Sequence, residues 1–419
     1  MLSIDYIRQN KEKVIEAAKN KKREVDIDHL LELDDKRRSL ISEVQTIRTK
    51  RNELSDRNEK PTKEKIEEGK NVKNQLKKIE DELKRIEEEY NDIMLHVPNV
   101  PLDEVPVGKD ESSNVEIKKW GEPRVFDFEP KSHIELGESL NIVDFHKGSD
   151  VSGFRGYFLK NQLALIHMAL LWYVFRKLTL KGYMPIIAPS IVKEFTLFGS
   201  GHFPWARKDD VYSLNDPDSY LAGTAEVPTM AYHKDKVYEE KNLPLKFVAM
   251  SDCFRREAGA YGKDTKGLYR VHEFWKIEQV ILAKNNLDEA RVLHEELQQN
   301  CEEILQELEL PYRVVLMCTG EMGEPQVFKY DTETWMPSRN SYGETMSNSI
   351  MGDFQCRRLN IRYKTREGGK TFCYSLNNTA LASPRILIAL LENHQQKDGS
   401  ILLPKVLHDV VGFDTIVRI

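Results

Sequence analysis

The sequence predicts an α+β protein in two parts, an N-terminal helical hairpin and a longer region in which strands and helices are mixed. Three observations lead to this prediction. Apolar residues recur every three or four positions through much of the N-terminal region, which is the spacing of a coiled coil. Prolines then cluster between His96 and Pro123, as in a linker. Beyond them, short β-branched runs alternate with helical patterns.

The N-terminal region contains two heptad-like segments separated by a polar break at Pro61. The first has Leu30, Leu33, Arg37, Leu40, Val44, Ile47, Arg51 and Leu54 on one face, and the second has Val72, Leu76, Ile79, Leu83, Ile86, Tyr90, Ile93 and Val97. We therefore predict an antiparallel coiled-coil hairpin over about residues 28–97, within a domain of residues 1–100. Such a hairpin is commonly structural or dimerising, so its periodicity alone leaves its role open.

Charge separates the distal part of this hairpin from its base. From Lys36 to Ile79 there are 14 lysines and arginines and 7 acidic residues, whereas Glu80 to Leu95 holds 2 basic and 7 acidic residues. The whole chain of 419 residues has a net charge of −6, which excludes a uniformly basic nucleic-acid binder. A basic tip on an acidic protein indicates a local contact with a polyanion.

Residues 101–123 are predicted as a linker and residues 124–419 as the larger domain. In that domain we predict strands at Val211–Leu214, Phe247–Met250, Val280–Leu282 and Val314–Met317, and a helix at Asp288–Leu308. The apolar run Leu163–Phe175 is too short to span a bilayer, and its His167 fits a core or interface position better than a ligand position.

The cysteines give information about the compartment. There are five, scattered and without paired spacing, so we expect no zinc site and no disulfide framework. The N-terminus turns polar at once, unlike a secretory leader. We therefore expect a cytoplasmic protein that does not associate with a membrane.

The segment richest in chemistry is the predicted hairpin Phe254–Glu278. Its loop includes Gly259, Gly262 and Gly267, and it is flanked by the strand-like runs Leu245–Met250 and Val271–Leu282. Arginines at both strand ends offer planar forks suited to phosphate oxygens, while Phe274 offers a ring for a base. A glycine-rich hairpin of mixed charge is more often merely solvated, and Gly262 lacks the spacing of a Walker loop.

A second segment strengthens the case for a nucleotide site. Ser383 is predicted to cap a helix and Pro384 to occupy its first turn. Arg385 then begins a run that is otherwise apolar as far as Leu391. A buried arginine is costly without an anion. A structural ion pair is one alternative, but the positive field of a helix N-terminus favours a phosphate partner.

These residues resemble the class II aminoacyl-tRNA synthetases, and among them the seryl-tRNA synthetase family. Phe254–Glu257 with Arg270–Phe274 and Glu278 resembles motif 2, Leu381–Arg385 resembles motif 3, Lys181–Ser190 is similar to motif 1, and Thr224–Glu226 has the form seen in this family. The resemblance covers nearly the full length in the family's order. It implies a catalytic core built on an antiparallel β-sheet flanked by helices, following the coiled-coil hairpin.

The resemblance implies a ligase that converts L-serine and ATP to seryl-adenylate and transfers serine to the 3′ end of tRNA(Ser), and also of tRNA(Sec). It further implies Mg²⁺ with ATP as a substrate, a homodimer formed through motif 1, and a hairpin that grips the tRNA. The serine carboxylate is already ionised at neutral pH. Activation therefore requires positioning and charge neutralisation rather than a catalytic base.

The resemblance also assigns residues. Catalysis falls to Arg255, Glu257 and Arg385. Serine binding falls to Thr224, Ala225, Glu226, Arg255, Glu278 and Thr379. ATP binding falls to Arg255, Arg256, Glu257, Val271, Phe274, Glu344, Thr345, Met346, Ser347 and Arg385, with Glu344 and Ser347 as Mg²⁺ ligands. Which of Glu226 and Glu278 binds the ammonium and which the hydroxyl stays open, and Arg270 fits a phosphate contact and a hairpin salt bridge equally well.

Departures from the family pattern, of which Asn161–Ala164 before motif 1 is one, and three rival functions, one of them a coiled-coil scaffold fused to a nucleotide sensor, complete the prediction. Gly343 stands where many members have a basic residue, and Asn348–Met351 replaces a more usual Cys-Ser-Asn stretch. A catalytically silent tRNA-binding paralogue is the first rival, but it predicts erosion of Arg255, Glu344 and Arg385, which are present. An amino-acid:carrier-protein ligase is the second, and it predicts the absence of the basic hairpin.

Overall fold

The computed structural model describes residues 1–54, 62–206, 210–258 and 266–418. The chain divides into two units, Met1–Val100 and Pro101–Ile419. The predicted break at Pro61 and the loop residues Gly259 and Gly262 lie outside the described residues.

The first unit is helical. It consists of α1 (Ile4–Gln9), α2 (Lys11–Asn20), α3 (Ile27–Leu54) and α4 (Lys63–His96). Helices α3 and α4 bury Val44, Ile47, Val72 and Leu76 between them. Two ion pairs, Lys36–Glu82 and Lys50–Glu68, join the helices. From the first pair to the second the residue number rises along α3 and falls along α4, as it does in antiparallel helices. The predicted antiparallel coiled-coil hairpin is therefore confirmed, and α1 and α2, which were not predicted, pack against its base.

The basic residues of the hairpin fall into two groups. Some are paired across it, as in Arg48–Glu80 at 2.7 Å and Lys50–Glu68 at 2.9 Å, and such exposed pairs contribute little to stability. Others form what we call the α4 lysine stripe: Lys63, Lys70, Lys73 and Lys77, all exposed. Spacings of seven, three and four residues place these lysines on one face of α4, away from buried Val72 and Leu76.

A buried carboxylate joins the helices at the base of the hairpin. The side chain of Asp34 is fully buried and receives Arg8 at 2.9 Å, Arg37 at 3.1 Å and Arg38 at 2.8 Å. Burial alone would raise the pKa of Asp34, but the hydrogen bonds from Arg8 and Arg37, with the nearby charge of Arg38, lower it. Because the folded-state pKa lies below its usual value, the stabilisation is present above that value and is lost as the pH falls through the folded-state pKa.

We expect Asp34→Asn to destabilise the first unit by about 2 to 4 kcal/mol, since it leaves three converging arginines without their shared anion. Asp35→Asn is the matched control: that carboxylate is 65% exposed and bonds only Arg8 at 2.6 Å among the described contacts. It should cost less than about 1 kcal/mol. Urea unfolding of the full chain, followed by circular dichroism, measures both. Equal losses for the two variants would contradict the role given to Asp34.

The second unit mixes helices and strands. Its helices are α5 (His133–Ser139), α6 (Phe145–Ser152), α7 (Asn161–Leu180), α8 (Glu194–Ser200), α9 (Glu226–Ala231), α10 (Leu287–Glu307), α11 (Phe354–Arg358), α12 (Ser383–His394) and α13 (Lys405–Val411). Its strands are β1 (Val115–Trp120), β2 (Val143–Asp144), β3 (Phe158–Leu159), β4 (Met184–Ile187), β5 (Ile191–Lys193), β6 (Ser219–Leu221), β7 (Val237–Glu239), β8 (Leu245–Phe254), β9 (Glu273–Ala283), β10 (Tyr312–Leu316), β11 (Phe328–Met336), β12 (Ser341–Gly352), β13 (Arg362–Lys364), β14 (Lys370–Phe372), β15 (Tyr374–Ala382), β16 (Ile401–Leu402) and β17 (Thr415–Ile416).

One large sheet organises this unit. Its strand order is β1-β10-β11-β12-β15-β9-β8-β4, and every pair is antiparallel except β4 with β8. Helix α10 packs on β12 and β15, α7 on β8 and β9, and α12 on β9 and β11. The predicted α+β fold with an antiparallel core is therefore confirmed, as are the predicted helix at α10 and the long hairpin β8–β9.

Two local predictions differ from the structure. The predicted linker of residues 101–123 contains strand β1, which pairs with β10 at the sheet edge. Backbone pairing holds this strand, together with the stacking of Trp120 on Tyr312 at 5.8 Å between ring centroids. All residues of β1 are exposed, so the sequence has no alternation of apolar and polar residues that would predict the strand. Conversely, predicted strand Val211–Leu214 is wrong, because only the isolated bridge Ser213–Tyr220 forms there.

Helix α12 begins differently from the prediction. Ala382 precedes the helix, Ser383 is its first residue, and no side-chain capping bond forms. The predicted cap at Ser383 is therefore wrong, although Pro384 does occupy the first turn. The Ser383 hydroxyl instead lies 2.5 Å from the Nδ1 atom of His167 on α7.

Helix α7 has two different apolar faces. Leu163, Ile166 and Leu170 are buried in the core, whereas Leu165 and Trp172 are each 57% exposed. By length and composition the helix qualifies as a candidate membrane span, a test that core helices also pass. The helix packs on α13, α12, β8 and β9, while Leu165 and Trp172 stay exposed among the described residues.

Candidate active site

A cleft lined by polar, charged and aromatic side chains opens beside the N-terminus of α12. The sequence-predicted residues that line it are Arg255, Glu257, Val271, Phe274, Glu344, Thr345, Met346, Ser347, Thr379 and Arg385. They come from the β8–β9 hairpin, β12, β15 and α12. Residues more than a hundred positions apart in the chain are thus brought to one site.

Strand β9 supplies one wall through its two-residue period. Phe274 and Lys276 line the cleft, and Glu278 follows on the same face. Arg255, at the end of β8, places its guanidinium 5.3 Å from the centre of the Phe274 ring. Its Nε donates to the Gly223 carbonyl at 3.2 Å, which orients the guanidinium, and Arg255 lines the cleft.

Strand β12 supplies a second wall, and it requires an irregularity. Glu344 and Ser347 are three residues apart, which in a regular strand puts them on opposite faces. The register shifts between Thr332 and Glu333 of β11, so that Thr345 is an extra residue opposite them. This bulge brings Glu344 and Ser347 to the same cleft. The hydroxyl of Thr345 turns away and bonds Thr334 at 2.7 Å.

Arg385 is held at the centre of the cleft by several contacts. Its Nε donates to the Tyr269 carbonyl at 3.1 Å, and its Nη1 donates to the carbonyl and to Oε2 of Glu344 at 2.9 and 3.0 Å. The guanidinium lies 4.5 Å from the centre of the Tyr269 ring. Burial opposes the charge of Glu344, but Arg385 and Lys329 outweigh it and lower the pKa of Glu344. Glu344 is therefore ionised at neutral pH.

A salt bridge also joins the two ends of the hairpin loop between β8 and β9. Glu257, in a left-handed backbone conformation with φ +54°, accepts a hydrogen bond from Arg270 at 3.0 Å. The structure thus shows the hairpin salt bridge that was one of two alternatives for Arg270, while both residues still line the cleft. Val271 and Phe274 pack with Cys253 beneath it.

A buried cluster of polar side chains, which we call the polar pocket, adjoins the cleft at β15. Glu278 bonds Lys276 at 2.7 Å, Thr379 at 3.2 Å and Asn377 at 3.1 Å. The carboxylate and the ammonium are both almost fully buried. Such a closely satisfied cluster can exchange partners with a small ligand that carries ammonium and hydroxyl groups.

Glu226 is a second buried acid near Glu278. Burial, and then the charge of Glu278, raise the pKa of Glu226 to about 7. Gln355 donates to its Oε1 at 2.6 Å, and its backbone N–H donates to the Thr224 hydroxyl at 3.2 Å. Ala225 between them is fully buried and offers only its backbone.

Among the residues predicted to bind ATP, the structure places Arg256 apart from the others. Arg256 places its guanidinium 5.5 Å from the centre of the Tyr212 ring and is absent from the described lining of the cleft. Arg255 thus lines the cleft while the guanidinium of Arg256 lies over Tyr212, and an ATP contact of Arg256 stays a prediction.

Several lining or supporting residues were not predicted. Lys276 and Tyr269 line the cleft, while Gln355 and Asn377 bond its acids. Lys276 was detectable, since it lies between Phe274 and Glu278 on the same strand face. The others depend on contacts across the sheet, which no local pattern encodes.

The structure shows what surrounds Gly343 and Asn348, two positions that depart from the family pattern. A side chain at Gly343 would approach Tyr269 and Met336 to 3.0 Å, so glycine leaves room for the ring beneath Arg385. Asn348 is buried and donates to the His294 carbonyl of α10 at 2.9 Å. The first departure therefore bears on the cleft and the second on the attachment of α10 behind it.

The cleft lies on an antiparallel sheet. One arginine reaches it from a strand hairpin, another from the start of a helix, and an acid from a strand between them. This arrangement defines a class II aminoacyl-tRNA synthetase core. Comparison with family models agrees: residues 210–394 match the tRNA synthetase class II core domain (G, H, P, S and T), and residues 1–101 match the seryl-tRNA synthetase N-terminal domain.

Comparison with individual proteins identifies the family within this class. Serine–tRNA ligases of Treponema denticola and Rubrobacter xylanophilus are 42% and 40% identical, each over 99% of this chain and 100% and 99% of their own. The crystal structure of seryl-tRNA synthetase from Pyrococcus horikoshii complexed with ATP is 36% identical with a TM-score of 0.92, covering 100% of both chains. The chain belongs to the seryl-tRNA synthetase family, and its activity is that of a serine–tRNA ligase.

Proposed function

We propose that the cleft binds ATP and the adjoining pocket binds L-serine, so that seryl-adenylate and pyrophosphate form where the two meet. The observation that carries this proposal is the continuity of the two sites. Thr379 lines the cleft and also bonds Glu278 of the pocket. In the second step the serine passes to the 3′ end of tRNA(Ser).

The roles of the cleft residues follow from their chemistry and from the resemblance. Arg385 binds the γ-phosphate, and Arg255 bridges the α-phosphate and the serine carboxylate. Phe274 stacks on the adenine ring, while Glu257 and the backbone of Val271 contact the adenine side. No side chain has to remove a proton, because the attacking carboxylate is already ionised. The guanidinium forks neutralise charge that develops at phosphorus.

Glu344 and Ser347 fit a magnesium ion that accompanies ATP. A carboxylate kept ionised and a hydroxyl are hard oxygen donors of the kind Mg²⁺ prefers. Among the described residues no group of three or more His, Cys, Asp or Glu side chains surrounds a common point. Glu344 and Ser347 would hold the ion together with substrate phosphates, and the ion would supply charge neutralisation there.

Serine selection falls to Thr224, Ala225, Glu226, Glu278 and Thr379. Arg255 adds the carboxylate contact. Buried acids and hydroxyls that lose their partners when the substrate lacks a hydroxyl discriminate strongly against such a substrate. The charge of Glu278 contributes to the raised pKa of Glu226, so the two acids are close neighbours, and we propose that they share the ammonium and the hydroxyl between them.

The raised pKa of Glu226 predicts a pH dependence. Its ionised form attracts the serine ammonium, and below pH 7 the carboxyl is mostly protonated. We expect kcat/KM for serine to rise about tenfold between about pH 6 and pH 8. Glu226→Gln should be less active and should lack this rise, while kcat/KM for ATP keeps the wild-type profile. A transition that persists in Glu226→Gln would assign the titration to another group.

The exposed face of α7 is proposed as the subunit contact of a homodimer. Leu165, Met168 and Trp172 are 57%, 52% and 57% exposed and lie on one face through spacings of three and four. This helix immediately precedes the segment that resembles motif 1, whose strand β4 leaves Ile187 77% exposed. Contiguous exposed apolar surface of this kind marks a protein interface.

The first unit is proposed as the tRNA-binding arm. The α4 lysine stripe supplies positive charge along an extended helix, suited to RNA phosphates rather than base edges. We propose residues 1–100 as this arm and the residues after the 101–123 segment as the catalytic domain. Both tRNA(Ser) and tRNA(Sec) are proposed substrates, and the cytoplasm is the proposed compartment.

Serine-dependent ATP–pyrophosphate exchange tests the proposal. The wild-type chain should exchange with serine and not with alanine, and Arg255→Ala should lower the rate by at least about a thousandfold. Arg256→Ala is the matched variant, one residue away and directed at Tyr212, and should retain much more activity. Wild-type exchange no faster than that of Arg255→Ala would overturn the proposed chemistry.

A further inference from the structure

His167 lies where three elements of the second unit meet. It is on the buried side of α7 and is only 9% exposed. Its Nδ1 lies 2.5 Å from the Oγ atom of Ser383, the first residue of α12. Its ring stands perpendicular to that of Trp275 on β9, with centroids 6.4 Å apart. One side chain thus contacts both α12 and β9.

Both contacts adjoin residues that line the cleft. Ser383 is two residues before Arg385, and Trp275 follows Phe274 on the opposite face of β9. Arg385 and Phe274 come from different elements, and each is proposed to hold one end of the nucleotide. A side chain that fixes Ser383 relative to Trp275 therefore limits how far the Arg385 guanidinium can move from the Phe274 ring.

The hydrogen bond forms with a neutral imidazole. Burial lowers the pKa of His167 to about 4, so at neutral pH the ring has one N–H donor and one acceptor nitrogen. Ser383 is 2% exposed and does not use its hydroxyl to cap its own helix. Without the imidazole nitrogen this buried hydroxyl would lose its bond to α7, which costs more than the bond itself contributes on balance.

We propose that His167 is a positioning residue for ATP, which holds the start of α12 against β9 so that Arg385 and Phe274 keep the separation the nucleotide requires. The inference rests on the ATP-binding roles proposed above for those two residues. Since the other face of α7 is the proposed subunit contact, the helix that supports the nucleotide site is also the helix that a second subunit would cover.

Two substitutions distinguish the contribution of the His167 hydrogen bond from that of its aromatic ring. His167→Phe keeps an aromatic ring beside Trp275 but removes the bond to Ser383. His167→Asn removes the ring but keeps a polar atom near the position of Nδ1. In pyrophosphate exchange we expect His167→Phe to raise KM for ATP about tenfold, the ratio that loss of one buried hydrogen bond corresponds to. His167→Asn should stay within about threefold of wild type, and KM for serine should change little in either variant.

Ser383→Ala provides the partner variant and the safeguard against misfolding, because it deletes only the hydroxyl. It should reproduce the rise in KM for ATP, and the His167→Phe/Ser383→Ala double variant should be no worse than either single variant. Additive effects, an equal rise in KM for serine, or an unchanged KM for ATP in both single variants would overturn the inference. Failure of the wild-type chain to catalyse exchange would instead overturn the proposed function.

Discussion

Arg385→Lys is expected to lower serine-dependent pyrophosphate exchange by at least about a hundredfold, although it conserves the charge. The guanidinium of Arg385 bonds two different residues through separate nitrogens while it stacks on the Tyr269 ring. A lysine ammonium is a point charge without a planar fork, so it cannot keep these contacts and offer a second edge to a phosphate. The loss should appear in kcat and in KM for ATP, with KM for serine less affected.

Arg339→Lys is the matched control for this substitution. Its guanidinium lies over the same Tyr269 ring, at 4.1 Å from the centre, but Arg339 is not among the described residues that line the cleft. We expect less than about a fivefold change in exchange. If Arg385→Lys were as mild as Arg339→Lys, a positive charge alone would suffice at this position, and the fork would have no role.

Reversal of the α4 lysine stripe is expected to abolish tRNA charging while leaving serine activation intact. Changing Lys63, Lys70, Lys73 and Lys77 to glutamate replaces attraction to RNA phosphates by repulsion along one face of α4. We expect kcat/KM for tRNA(Ser) to fall by at least about a hundredfold, and the loss to depend on salt concentration. Pyrophosphate exchange, which requires no tRNA, should remain within about twofold of wild type.

The control for the stripe lies on the same helix nearer its base. Lys84→Glu with Arg85→Glu reverses two exposed basic residues in the acidic part of the hairpin, and it should affect charging much less. Circular dichroism checks that α4 persists in both variants. A control loss as large, per reversed charge, as that of the stripe variant would indicate a non-specific effect of net charge, and unaffected charging by the stripe variant would place the tRNA contact elsewhere.

The sequence was most informative where local periodicity decides a position. The heptads predict α3 and α4, and the two-residue period of β9 places Phe274 and Glu278 on one face. Glu344 and Ser347 are different. Their odd spacing predicts opposite faces of a regular strand, and they share a face only because of the bulge at Thr345. The resemblance assigned both to one ligand and both line one cleft, but no periodicity argument reaches that result.

Residues whose partners lie far away in the chain were the hardest to predict. Ser383 has the composition of a helix cap, yet its hydroxyl bonds His167, more than two hundred residues earlier. Arg256 has the same chemistry as Arg255, and only the direction of the backbone separates them. Strand β1 lacks a buried face altogether. In each case tertiary pairing outweighs a local preference.

The bond between Arg385 and Glu344 has a thermodynamic consequence. These two groups are proposed to serve different parts of one ligand, yet in the structure they neutralise each other at 3.0 Å. A ligand that engages Arg385 alone would leave the Glu344 carboxylate without its hydrogen-bonded counter-charge, and a cation that engages Glu344 alone would do the same to Arg385. Joint occupancy avoids both penalties. The affinities for nucleotide and cation are therefore reciprocally linked, and each should strengthen the other by the same factor.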